Sequence, residues 1–185
     1  LQHILLIIDA QQELIEGNQQ EGPVYRKEQL LFTINSVIQK AELLKVPVVF
    51  VRDLDVAQGH GHGFQIHPSI HIPGNAEFFD KAATNSFYGT GLLEYLQVKQ
   101  IDHLVIMGCI TEHCIDSAVR TATISGFDVT LVREGHSTTD NETLSADQII
   151  RHHNQTLHGH YNVDHFALVR AAVEDLFNPT HDTYR

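Results

Sequence analysis

Three residues in this chain have side chains suited to acyl chemistry, and two of them stand where an apolar run breaks off. Cys114 lies just past the run His103–Met107 (HLVIM) and a turn containing Gly108. A thiol that opens a helix meets unpaired backbone N–H groups and the positive end of the helix dipole, which favour a thiolate. The same N–H groups can hold a developing oxyanion. The plainer alternative is a small apolar residue packed at a strand–helix junction, since cysteine is often buried. Asp9 ends the run His3–Ile8 (HILLII), where burial of the carboxyl group is expected. It is either a general base with a shifted pKa or the cap of the following turn. Lys81, after Phe78, Phe79 and Asp80, reads locally as an ordinary surface lysine. Taken singly, none of the three decides between catalysis and structure.

The elements that would position them alternate in type. His3–Ile8 reads as a strand buried on both faces. Apolar residues at Leu30, Leu31, Ile34, Val37, Ile38, Ala41 and Leu44 give a one-sided helix within Arg26–Lys45. Pro47 closes its turn, and Val48–Val51 is the next strand. Arg52–Asn75 is polar and rich in histidine, and it reads as a long loop. Phe78–Lys81 suggests a short edge strand, Gly91–Lys99 a short helix and His103–Met107 a third central strand. A helix over Glu112–Ser125, stopped by Gly126, would face inward with Ile115, Ala118, Val119 and Ala122. Asp128–Val132 is a fourth strand, and Ser145–Leu157 a helix with Ser145 and Gln148 spaced as a capping box. Phe166–Phe177 fits a strand or a helix. The alternation predicts one three-layer α/β/α domain over residues 1–185 with a mostly parallel sheet. In such sheets ligands bind beyond the carboxyl ends of the strands, which is where Asp9 and Cys114 fall.

Composition narrows the function classes. The chain has 185 residues and a formal net charge of −11. That charge repels phosphate backbones and anionic lipids, so neither nucleic acid nor membrane is an expected partner. No apolar run approaches the roughly 20 residues that cross a bilayer. The opening Leu1–Ile8 segment is too short and strand-like for a signal peptide. The two cysteines, Cys109 and Cys114, are too few and too close to staple the domain, and a cytoplasmic setting is expected. Their spacing is not that of a redox Cys-x-x-Cys pair, so Cys109 is read as structural.

Considered together, the three residues lie in segments that resemble one family. Gly108-Cys109-Ile110-Thr111-Glu112-His113-Cys114-Ile115 is similar to the Gly-x-x-Thr-x-x-Cys-Val signature of isochorismatase-like cysteine hydrolases. Ala118, Arg120, Ala122 and Gly126-Phe127-Asp128-Val129 continue that pattern. Leu6-Ile7-Ile8-Asp9-Ala10-Gln11 resembles the family's strand ending in Asp-x-Gln, and Lys81 through Leu92 resembles its Lys-…-Ser-x-Phe-x-Gly-Thr-x-Leu segment. The resemblance runs from residue 4 to about 157 and implies the Rossmann-like isochorismatase fold. It also implies a triad of Asp9, Lys81 and Cys114, in which Asp9 takes the thiol proton and Lys81 holds positive charge beside both. A cis peptide would join Cys109 to Ile110, aiming the Ile110 N–H, with that of Cys114, at an oxyanion.

The resemblance also frames what is absent. Nicotinamidases in this family carry an Asp-x-His metal motif after the second strand, whereas this chain has Asp53-Leu54-Asp55. His60, His62 and His67 could supply imidazoles, but histidines between glycines fix no coordination geometry, so neither metal nor cofactor is expected. Gln11, Phe64, Phe87, Tyr88 and His113 are candidates to wall a pocket for a small-molecule substrate. The aromatic ones could equally pack the loop onto the domain or onto a second subunit. His152-His153-Asn154 reads as an exposed or interface feature, and a homo-oligomer is expected by the same resemblance. The expected activity is hydrolysis of a small amide or lactam through an acyl-cysteine. The alternatives are vinyl-ether hydrolysis of isochorismate, which needs no thiol, and an idle scaffold of the same fold.

Overall fold

The computed structural model describes residues 1–185. Its strands are β1 (His3–Ile8), β2 (Val48–Asp53), β3 (Glu77–Lys81), β4 (His103–Cys109), β5 (Asp128–Ser137), β6 (Tyr161–Asn162) and β7 (His165–Arg170). They form one sheet in the order β3-β2-β1-β4-β5-β7-β6, parallel throughout except for β6. The helices are α1 (Gln12–Glu16), α2 (Lys27–Leu43), α3 (Gly61–Phe64), α4 (Leu92–Val98), α5 (Asp116–Ile124) and α6 (Ala146–Leu157).

Strand alternation builds two cores, one on each face of the sheet. Ile4, Leu6 and Ile8 of β1 face the layer of α4 and α5, where Leu92, Leu96, Ile115, Ala118, Val119 and Ala122 are all inaccessible to solvent. Leu5 and Ile7 face the opposite layer with Ile34, Val37, Ile38 and Ala41 of α2. Apolar side chains on both faces explain why the central strands read as continuous hydrophobic runs rather than alternating ones. This is the expected three-layer α/β/α arrangement.

Several elements depart from expectation. The segment after β2 is not one loop: it holds a tight turn at Val56–Gly59 and the single-turn helix α3. Helix α1 has only five residues, too few for a periodic signal. The tail resolves into a strand, β7, followed by turns. The capping box of α6 forms with both of its hydrogen bonds, as Ser145 and Gln148 predicted. The helix expected over Glu112–Ser125 is divided: Thr111–Ile115 is a wide π turn, and the α-helical part begins at Asp116.

The sheet order reverses between β1 and β4. From β1 the chain builds outward through β2 to β3, then returns to place β4 on the other side of β1. Crossovers on either side of that point diverge and leave a crevice above the carboxyl ends of the two strands. Asp9 ends one strand there and Cys114 follows the other. At Gly108 the two backbones come so close that an added Cβ would lie 1.9 Å from the Ile8 carbonyl oxygen, and φ is +131°. Only glycine fits that position.

Candidate active site

Each polar group at the crevice is delivered by the end of a different strand. Asp9 leaves β1 with φ of +52°, its N–H donating to the Val51 carbonyl (2.8 Å). Lys81 is the last residue of β3 and is registered against Asp53, the last residue of β2. Cys114 sits in the π turn that follows β4, where the His113 and Ile115 N–H groups both donate to the Ile110 carbonyl. The Cys109–Ile110 peptide is cis. The Ile110 N–H donates to no group of the chain.

These groups meet at one ammonium. Lys81, 1% exposed, places Nζ 2.7 Å from Asp53 Oδ2, 3.1 Å from Asp9 Oδ2 and 3.5 Å from Cys114 Sγ. It also donates to the Ala83 carbonyl (3.0 Å). A buried lysine of this kind stays charged only beside carboxylates. Burial pulls its pKa down, but Asp9, Asp53 and Cys114 outweigh that and raise it. Asp9, Asp53 and Cys114 also bring one donor atom each within 4.8 Å of one another, as three metal ligands would. Lys81 supplies the positive charge of that cluster. His60 and His62 are exposed and apart from it, and buried His67 is held by Glu16 (2.8 Å) and the Ser69 N–H (3.1 Å).

Protonation follows from burial. Asp9 is pushed up to about 6, first by desolvation, against the pull of Lys81 and the facing Cys114 thiol. Neither of its oxygens accepts an aligned hydrogen bond. Cys114 is pushed up to about 12 by desolvation and by Asp9, with Lys81 opposing. The expected α-helix start at Cys114 is corrected. Cys114 is the fourth residue of a π turn rather than the first of an α-helix, and in the resting site it holds its proton beside an ionised Asp9.

The π turn is clasped from β5. Thr111 Oγ1 meets His136 Nδ1 at 2.8 Å, and His136 Nε2 meets Asn154 Oδ1 of α6 at 2.7 Å. Glu112 accepts from the Thr138 hydroxyl at 2.6 Å. Asn154, grouped in sequence with two neighbouring histidines, thus serves this clasp.

A cleft of about 610 Å³ opens over the thiol, lined by Asp9, Ile110, His113 and Cys114 at its base. Of the expected pocket residues, only His113 reaches it. Gln11 is spent on backbone: its amide donates to the Asp53 and Phe64 carbonyls and accepts from the Asp53 N–H. Phe64 is buried beneath the Arg52 guanidinium, 4.5 Å from its ring centroid. Phe87 packs against the α4–α5 core, and Tyr88 is 74% exposed away from the lining. Asp53 was not foreseen as a site residue. Its position at the end of a strand next to β1, like that of Asp9, was the available signal.

Comparison with known proteins gives this arrangement a relationship. A sequence model of the isochorismatase domain matches residues 3–156. An uncharacterised isochorismatase family protein of Bacillus subtilis, YrdC, is 32% identical over 72 residues, covering 39% of this chain and 38% of that protein. Streptothricin hydrolase of Streptomyces noursei is 25% identical over 141 residues, covering 74% of this chain and 50% of that protein. The chain thus matches at most half the length of either. A solved isochorismatase family protein superposes with a TM-score of 0.82 at 29% identity, covering 91% of this chain and 98% of that one. No helix is long and apolar enough to cross a membrane. With the fold, the strand-end residues and the matched domain in agreement, this chain belongs to the isochorismatase family.

Proposed function

We propose that the chain is a cysteine hydrolase that cleaves a C–N bond of a small amide or lactam. The observation that carries this reading is the Lys81 ammonium held between Asp9 (3.1 Å) and Cys114 (3.5 Å) at the base of an open cleft. With a pKa near 6, Asp9 is ionised at neutral pH and can accept the thiol proton as sulfur attacks the carbonyl carbon. Proton transfer accompanies attack, because a free thiolate beside Asp9 is disfavoured. The Ile110 and Cys114 N–H groups serve the oxyanion, and Lys81 keeps positive charge beside the transferring proton. Asp9 then hands its proton to the leaving nitrogen as the C–N bond breaks, which leaves a thioester on Cys114. Water attacks that thioester, Asp9 takes a proton from the water, and sulfur leaves and regains its proton. No step needs a metal or cofactor.

Cys114→Ala and Cys114→Ser are expected to lose turnover of small amides and lactams by about 10³-fold or more. Their unfolding curves should stay close to the parent's. Acid quench during turnover should trap an adduct on Cys114, visible as added mass on the peptide that contains it. Undiminished activity in Cys114→Ala would overturn the mechanism and leave the vinyl-ether reaction ahead. Both cysteines are free thiols, which fits the cytoplasmic setting we associate with this reading.

A further inference from the structure

The walls of the Cys114 cleft carry charge of one sign. Besides Asp9 and Asp53 at the base, Glu13, Glu21 and Asp55 line it, and no arginine does. At the base, Lys81 sits between the two carboxylates and offsets one of their two charges. The rim has no such partner: the side chains of Glu13, Glu21 and Asp55 enter no ion pair or hydrogen bond. The acidic composition of the chain does not by itself produce this, because basic residues are placed elsewhere. Arg26, Arg133 and Arg151 gather around a separate hollow between α2 and α6.

The three rim acids come from different segments, each fixed by its backbone. Glu13 lies on α1, where Gly63 of α3 packs so near that an added Cβ would be 3.1 Å from the Glu13 Cβ. Glu21 closes a turn in which Asn18 Oδ1 accepts from the Gln20 and Glu21 N–H groups, at 2.8 and 3.0 Å. That turn requires Gly17, where a Cβ would come within 2.3 Å of the Glu21 carbonyl oxygen. Asp55 follows β2, its N–H donating to Asp53 Oδ1 at 2.9 Å. Below them, Asp9 is 1% exposed and lines the cleft; its Oδ2 is paired with Lys81 Nζ at 3.1 Å, while its Oδ1 has no partner in the chain.

We infer that the substrate carries a cationic group, an ammonium or guanidinium, that seats among Glu13, Glu21 and Asp55 while its carbonyl reaches Cys114. This rests on the hydrolase reading and names the substrate class for it. Carboxylates around one concavity focus a negative potential that concentrates cations and repels anions. A dicarboxylate such as isochorismate would enter against that field.

The test reads access to Cys114 by charge and does not depend on turnover. Trimethylammonioethyl and sulfonatoethyl methanethiosulfonates each form a mixed disulfide with the thiol and release methanesulfinate. Their rates are normalised to those with free cysteine, with Cys114→Ala as the background for Cys109. The cationic reagent is expected to modify Cys114 about tenfold or more faster than the anionic one. The ratio should fall toward one in a Glu13→Gln, Glu21→Gln, Asp55→Asn variant, and in salt of about 0.5 M. A ratio near one in the parent overturns the inference, as does a ratio that survives neutralisation of the three acids. Failure of both reagents to react, where neutral methyl methanethiosulfonate does modify Cys114, overturns it too, because the cleft would then admit no charged ligand to the thiol. The hydrolase reading is judged separately by amide turnover. It stands if amides are cleaved without regard to charge, and it falls alone if the cleft selects cations but cleaves nothing.

Discussion

At the scale of single residues, the site is a problem of where two protons reside. Asp9, near 6, and Cys114, near 12, place the resting proton on sulfur and the negative charge on the carboxylate. Below pH 6 Asp9 is protonated and cannot accept the thiol proton. The profile of kcat/KM is therefore expected to rise about tenfold per pH unit up to a midpoint near 6 and then level. No falling limb is expected below about pH 10, because Lys81 is raised above its ordinary value and stays charged. Asp9→Asn should abolish the rise together with the activity, measured on whichever small amide the parent cleaves. Cys114, Asp9 and Lys81 were legible from sequence because three motifs carried them in order. Asp53, Glu13, Glu21 and Asp55 were not, because what joins them is a cleft made by loops distant along the chain.

At the scale of elements, the strands were the most legible part, and the physical reason is burial on both faces. Runs such as HILLII and HLVIM leave little alternative to a central parallel strand. The turn that carries Cys114 was not legible. Apolar spacing through Ile115, Ala118 and Val119 fits a continuous helix, and a π turn leaves no separate mark in that pattern. Its shape is held by Thr111 on His136 and Glu112 on Thr138. Thr111→Val should leave His136 Nδ1 without its partner, lowering kcat about tenfold or more while a thermal melt detects a loss of about 1–2 kcal/mol. Gly108→Ala has no room to relax against the Ile8 backbone and should cost on the order of 3 kcal/mol or more in denaturant unfolding.

At the scale of the whole molecule, buried neutral histidines set the response to acid. His136 is pushed down to about 4 by burial, with His153 adding to the effect. His103 is lowered by burial and by neighbouring His3 and His181. Each binds a proton more readily in the unfolded chain. The stability they allow is present above pH 6.5 and is lost as pH falls toward the folded values, on the order of 3 kcal/mol for His136 alone. Asp9 works in the opposite sense. Its pKa is higher folded than unfolded, so between pH 6 and 4 it gains its proton first in the native state. Asp9→Asn should therefore steepen the fall in melting temperature over that range, which calorimetry across pH 4–7 would measure. Unchanged steepness would contradict the assigned burial of Asp9.

The place of Lys81 in the sheet has a consequence for how the protein would fail. Asp9 and Cys114 hang from inner strands, but Lys81 closes β3, which pairs only with β2 and is largely solvent-exposed before its last residue. Beyond the backbone ladder, its ties to β2 are the bidentate Arg52–Asp80 contact, the stacked Phe50 and Phe78 rings and the Lys81–Asp53 ion pair. Edge elements of this kind open in partial excursions at lower free energy than the core. When β3 peels away, the two remaining partners lose their shared cation while every central strand stays paired. Mild denaturant should then abolish the proposed amide turnover at a concentration that leaves the circular dichroism intact, and amide exchange along Glu77–Lys81 should report the same opening.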